Sequence, residues 1–158
     1  MRRVKIYLET TLFNYYFDKD RDAYADTVRL FKEIAAGKYE AFTSGAVVDE
    51  LMEAPAEKQA LMLSLIDTYD ITVLRVCEET EKLADMYVEE GIIPLKHRMD
   101  GVHIAVAAVN DLDFIISMNF QHIVKVKTER MTRAVNVLRG YRPIEIISPM
   151  EVTEDENA

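Results

Sequence analysis

The sequence predicts an α/β domain, a mostly parallel five-stranded sheet with helices on both of its faces. Two observations carry that reading. Five short apolar segments recur along the 158 residues, with helical patterns filling the gaps between them. The segments around Ile71 and Ile115 are continuous apolar runs rather than alternating ones, as expected of strands covered on both sides. Strand and helix alternating in this way specify a parallel sheet between helical layers.

The elements follow in order. Val4–Leu8 reads as the first strand. From Tyr24 to Ala36, the residues Val28, Leu30, Phe31 and Ile34 stand at near-helical spacing, and Gly37 supplies the C-cap. Residues 41–43 form the second strand, and Ser44 caps a helix that reaches Glu53 and is stopped by Pro55. Residues 61–66 belong to the next helix and residues 71–74 to the third strand. A helix over residues 78–90 ends at Gly91. The helix over residues 99–110 is apolar almost all round, which predicts burial. Residues 114–118 form the fourth strand, residues 130–138 a helix closed by Gly140, and residues 144–147 the last strand. One domain is expected over residues 1–150, with residues 151–158 an acidic tail that frays.

Composition excludes several classes. With 49% apolar and 30% charged residues the chain is neither disordered nor fibrous. Its single cysteine, Cys77, rules out an internal disulfide framework and a four-cysteine zinc site, suits a reducing, cytoplasmic setting, and reads as a small core residue. The opening residues, broken at Lys5 and Glu9, are too short for a signal peptide, and no apolar run reaches the ~18 residues of a membrane span.

A net charge of −9 argues at first against a nucleic-acid partner. Its distribution argues otherwise. Residues 1–95 carry 11 basic and 19 acidic side chains, whereas residues 96–142 carry 8 basic and 4 acidic, a local excess of +4. Lys96, Arg98, Lys125 and Lys127 belong to that segment and read either as solvated helix faces or as a phosphate-facing strip.

Ligands of open parallel sheets collect beyond the carboxyl ends of the strands. Glu9 ends the first strand, Asn119 follows the fourth, Glu50 lies in the helix after the second, and Asp100 opens the buried helix with His103 one turn on. Oxygen donors gathered there suit Mg²⁺ or Mn²⁺ better than zinc. His103 reads as a hydrogen-bonded core residue, and His122 either as a loop anchor or a phosphate contact. The set His97, His103 and His122 has no zinc-like spacing. Of Tyr15, Tyr16 and Phe17, at least two are expected in the core. No Gly-x-Gly-x-x-Gly turn, P-loop or Gly-x-Ser-x-Gly elbow occurs.

Five motifs, in order along the chain, resemble those of PIN-domain ribonucleases, in particular VapC-like toxins of toxin–antitoxin pairs. Lys5-Ile6-Tyr7-Leu8-Glu9-Thr10-Thr11 resembles that family's opening strand, which normally ends in Asp-Thr-Ser. Val47-Val48-Asp49-Glu50-Leu51 is similar to its second acidic motif. Asp100-Gly101-Val102-His103-Ile104-Ala105 resembles its Asp-Ala-Leu-His-Leu-Ala helix start. Ile116-Ser117-Met118-Asn119-Phe120-Gln121-His122 is similar to the Ser-Trp-Asn-Phe-x-His form of one branch. The stretch from Gly140-Tyr141-Arg142-Pro143 to Ile146-Ile147-Ser148-Pro149 resembles that branch's closing turn and strand.

The resemblance implies a PIN-like three-layer sandwich and an acidic pocket of Glu9, Glu50 and Asp100 holding Mg²⁺ or Mn²⁺. Asn119 would act beside them; the RNA contacts are expected, from the cationic segment rather than from the resemblance, at Lys96, Arg98, Lys125 and Lys127, with His122. It also implies an RNA substrate, a cognate antitoxin and a homodimer. Glu9 and Asn119 depart from the family's aspartates, which leaves two readings open: a metal-dependent endoribonuclease, or a catalytically weak or inactive PIN-like module that binds RNA or protein.

Overall fold

The computed structural model describes residues 2–154. Strands β1 (Val4–Leu8), β2 (Tyr39–Ser44), β3 (Thr72–Leu74), β4 (Phe114–Ile116) and β5 (Glu145–Ile147) form one sheet in the order β3-β2-β1-β4-β5. All four pairings are parallel, with Ile6 opposite both Ala41 and Phe114, Phe42 opposite Thr72, and Ile115 opposite Ile146. β1 is central, and Ile6, Tyr7 and Leu8 are fully buried in it. This is the predicted α/β sandwich.

Helices α1 (Thr10–Tyr15), α2 (Tyr24–Ala35), α3 (Gly45–Leu51) and α4 (Ala56–Thr68) precede β3, and α5 (Glu78–Glu89), α6 (Arg98–Val109) and α7 (Val126–Leu138) follow it. After β3 the chain returns across β1 to place β4 on its other side. With right-handed crossovers, that reversal sends α5 to α7 to the opposite face of the sheet. α2 packs against α1 and against the last helix, α8 (Pro149–Glu154), whereas α5 packs against α6 and α7. Gly101 sits where α6 crosses α5, its Cα side 3.5 Å from the Tyr87 ring for a Cβ placed there.

Local chemistry explains most boundaries. Ser44 caps α3 by accepting the Ala46 N–H, as predicted. Gly37, Gly91 and Gly140 each take positive φ just beyond a helix, the conformation that closes a helix at least cost. α6 is buried from Gly101 through Ala108, as its all-round apolar pattern requires. Tyr16 and Phe17 pack edge-on with each other, and Tyr16 also meets Phe31 and Tyr69.

Several details differ from the sequence reading. β3 is a sheet edge with Val73 43% exposed, so its apolar run is not covered on both faces. α1 begins directly after β1, where no helix was expected. α7 starts at Val126 rather than residue 130, because Lys125 is in extended conformation and Thr128 bonds back to the His122 carbonyl. Cys77 is half-buried and caps α5, its N–H donating to Thr80 Oγ1, rather than filling the core. Helix α8 runs through Glu154, inside the stretch read as an acidic tail; residues 155–158 lie outside the described residues.

Candidate active site

β1 leads into Glu9, β2 ends in Ser44, and Ser117 and Asn119 follow β4. Strand order reverses between β1 and β4, the place where an open parallel sheet leaves a crevice at the carboxyl ends of its strands. The polar residues of the site gather there.

Glu9 is 3% exposed and is the N-cap of α1. Its Oε1 accepts from the Thr11 N–H at 3.1 Å, from Thr11 Oγ1 at 2.5 Å and from Ser117 Oγ at 2.6 Å. Thr11 Oγ1 also accepts the Met118 N–H at 2.8 Å, so one hydroxyl ties the end of β1 to the end of β4. Burial raises the Glu9 pKa, and the nearby His103 with these hydrogen bonds opposes the rise without cancelling it.

Glu50 projects from α3 and accepts from Thr10 Oγ1 at 2.9 Å and from His103 Nε2 at 2.5 Å. His103 is fully buried on α6. Its Nδ1 shares a 2.6 Å hydrogen bond with the Tyr7 hydroxyl, which shares another of 2.8 Å with Ser44 Oγ. Burial alone would depress the imidazole pKa, but the Glu50 hydrogen bond and the charges of Glu9, Glu50 and Asp100 outweigh it and raise it. Burial likewise works against the Glu50 charge, yet His103 and Thr10 outweigh it and lower the Glu50 pKa.

Asp100, in the first turn of α6, has its pKa raised by burial, with His103, His122 and a hydrogen bond from Asn119 acting against the rise. Asn119 also donates its backbone N–H to Ser117 Oγ and accepts the His122 N–H at its Oδ1. Glu9, Ser117, Asn119 and Asp100 are thus linked by hydrogen bonds on one side of the crevice. His103 stands close to all three acids and is bonded to Glu50.

The four residues predicted for the site, Glu9, Glu50, Asp100 and Asn119, therefore lie together. In both glutamates the protein donors fall on Oε1, which leaves Oε2 as the oxygen available to a ligand. The predicted basic contacts divide. Burial and the neighbouring His97 depress the His122 pKa, with the exposed Lys125 and Lys96 adding to the fall and Asp100 opposing it. Arg98 instead bonds Asp85 at 2.7 Å and approaches Glu81, so its charge is neutralised between α5 and α6. Lys127 is exposed on the first turn of α7.

Sequence reasoning missed the roles of Thr10, Thr11, Ser117 and His103 as holders of the acids. The adjacent Thr-Thr pair after Glu9 and the three-residue step from Asp100 to His103 were their available signals. It also passed over His97 and His122 as metal ligands, for lack of zinc-like spacing. In the fold their rings stack with centroids 4.2 Å apart. One donor atom from each, with one from Asp100, all lie within 4.8 Å of one another.

No family model matches the chain, and no curated protein sequence matches it. Solved structures do. The VapC20 toxin of Mycobacterium tuberculosis, a sarcin-ricin loop cleaving toxin, matches with a TM-score of 0.56 at 12% identity, over 88% of this chain and 98% of that one. VapBC2 from Rickettsia felis, bound to a DNA fragment from its promoter, matches with a TM-score of 0.57 at 12% identity, over 92% of this chain and 98% of that one. These matches establish the fold, which is the PIN-like sandwich that the five motifs predict.

Proposed function

We propose that the chain is a PIN-like endoribonuclease that hydrolyses RNA phosphodiesters, and that it is the toxin of a toxin–antitoxin pair. One observation carries the reading: Glu9, Glu50, Asp100 and Asn119, far apart in sequence, meet at the switch point of the sheet with their side chains held by dedicated partners. The fold shared with a sarcin-ricin loop cleaving toxin supports it, and the VapBC2 neighbour supports a cognate antitoxin as partner. A homodimer and a cytoplasmic setting belong to the same reading; among the described residues no helix is long and apolar enough to cross a membrane.

The donor set fits a hard divalent ion such as Mg²⁺ or Mn²⁺. Three carboxylates share one crevice, and burial raises two of their pKa values, a cost that a cation removes. Glu50 and Asp100, with Glu9 behind them, would hold the ion through the oxygens that the protein leaves uncommitted. When bound, such an ion supplies an acidified water and offsets charge on the phosphate oxygens.

The protein's own residues do the positioning. His103 and Thr10 fix the Glu50 carboxylate, and Thr11 and Ser117 fix that of Glu9. Asn119 orients Asp100 and pins the His122 loop. Lys96 and Lys125 flank the crevice where phosphates on either side of the cut bond would lie. Unpaired RNA is the preferred substrate, because a single strand threads a groove without unwinding.

A second reading, a non-catalytic PIN-like binding module, is favoured by Glu9 serving as a helix cap and Glu50 being paired with His103. One assay separates the two. Purified protein is incubated with a panel of structured RNAs, a sarcin-ricin hairpin among them, in Mn²⁺ beside an Asp100→Asn control. Cutting by the native protein alone supports the nuclease, and equal cutting by both sinks the site. No cutting by either across the panel favours the binding module.

A further inference from the structure

We propose that His97, Asp100 and His122 form a binding site for one divalent transition-metal ion of the zinc class, at the rim of the acidic crevice. The inference goes beyond the nuclease reading, with which it shares Asp100 alone.

Two of the residues are close in sequence: His97 ends the 3₁₀ turn Leu95–His97 and is the N-cap of α6, and Asp100 lies three residues on in its first turn, whereas His122 comes from the loop between β4 and α7. Their donor atoms nevertheless lie within 4.8 Å of one another. Donors of one tetrahedral ion bound at about 2.0–2.1 Å stand roughly 3.3–3.4 Å apart, so closing this set needs only small side-chain movements. Two imidazoles and a carboxylate are a transition-metal donor set, and Mg²⁺ and Ca²⁺ prefer oxygen alone. Three protein ligands leave a further position open, the arrangement of reactive rather than purely structural zinc sites.

Two further observations point to a ligand. His122 Nε2 is shut off from solvent and has no hydrogen-bond partner among the described residues, a deficit that costs about 1–3 kcal/mol unless something fills it. The His122 loop is also anchored: its N–H is held by Asn119 Oδ1, its carbonyl accepts from Thr128, and its ring is stacked on His97. The imidazole is thereby fixed beside Asp100 before any ion arrives. Lys96 and Lys125 beside it oppose a bare cation but favour an anion, such as a phosphate oxygen, in the open position.

The test uses the full chain with Cys77→Ser, so that the lone thiol cannot host the ion, after chelator treatment and dialysis. Zn²⁺, Co²⁺ and Mg²⁺ are each titrated calorimetrically into this protein and into His97→Gln, His122→Gln and Glu50→Gln versions of it. One Zn²⁺ per chain is expected, with Co²⁺ giving visible bands of a nitrogen–oxygen site. Each histidine change should weaken Zn²⁺ by about a hundredfold or more, beyond what loss of a mere orienting partner costs. Glu50→Gln, which removes only a neighbouring charge, should weaken Zn²⁺ far less than either histidine change, and Mg²⁺ should not displace Zn²⁺.

Zn²⁺ binding that survives both histidine changes, or that is lost only with Glu50→Gln, overturns the site. So does a Co²⁺ spectrum without those bands in the native-histidine protein, which decides the matter even if a variant folds poorly. Zn²⁺ bound as expected supports the site whether or not the protein cuts RNA, so the two readings fail separately.

Discussion

His103 Nε2 donates to Glu50 Oε1 at 2.5 Å from the fully buried interior of α6. A core imidazole therefore holds an acid whose own side chain is 34% exposed at the crevice. On its other nitrogen the imidazole is bonded to Tyr7, and Tyr7 to Ser44, so the chain of contacts reaches from β2 through β1 to the acid.

Replacing His103 by Leu should therefore cost more than its own packing. Tyr7 loses a partner in a region without solvent, and Glu50 loses its charged donor. A loss of about 2–4 kcal/mol in denaturant unfolding is expected from two unsatisfied groups. A Glu50→Gln, His103→Leu double variant should lose clearly less than the sum of the singles. Additive losses would show that the two side chains do not act together.

The same pair sets the pH dependence of the metal-free protein. His103 has a raised pKa, so its contribution is complete below the ordinary imidazole value of about 6.5 and disappears as pH rises through the raised one. Glu50 has a lowered pKa, so its contribution is present above the ordinary glutamate value of about 4.3 and is lost as pH falls through the lowered one. Glu9 and Asp100, both raised, bind protons more tightly in the folded chain and also favour lower pH. Thermal midpoints should thus peak at mildly acidic pH and decline on the alkaline side. His103→Gln should flatten that alkaline limb; an unchanged slope would remove His103 as its source.

Thr11→Val keeps size and removes one hydroxyl. Glu9 would lose a donor, and the Met118 N–H would lose its acceptor. A loss of about 1–3 kcal/mol is expected, measured by chemical denaturation. Glu9→Asp should retain a helix cap, since aspartate is favoured there, but its shorter arm should release Ser117. If the aspartate variant binds Mn²⁺ more tightly by calorimetry, the extra methylene of Glu9 weakens the pocket.

The basic residues should separate by assay. Lys96→Ala with Lys125→Ala should lower the salt dependence of RNA binding by about two phosphate contacts. Arg98→Ala should leave that slope alone and cost about 0.5–1 kcal/mol of stability, because its charge is engaged with Asp85 and Glu81. Filter binding over a salt series distinguishes them.

Elements with a strong local signal were legible in the chain itself. β1, the Ser44 cap, the glycine closures at Gly37, Gly91 and Gly140 and the burial of α6 each follow from residue type and period over a few positions. So did the choice of Glu9, Glu50 and Asp100 as candidate acids, since the motifs around them are contiguous stretches. α1 was not legible: its six residues lie hard against β1, and its cap, Glu9, is a residue type that seldom caps. Nor was the edge position of β3, because an apolar run does not state how many neighbours the strand will have.

The tertiary structure alone decided which side chains meet. Thr11 reaches Met118, and His103 reaches Glu50, because parallel register brings the ends of β1, β2 and β4 to one edge. His97 and His122 stack although 25 positions separate them in sequence, and Arg98, cationic in any reading of the chain, is neutralised by a neighbouring helix. Local pattern encodes secondary structure because it acts over a few residues. Contacts between distant residues depend on strand order and packing, which no short stretch contains.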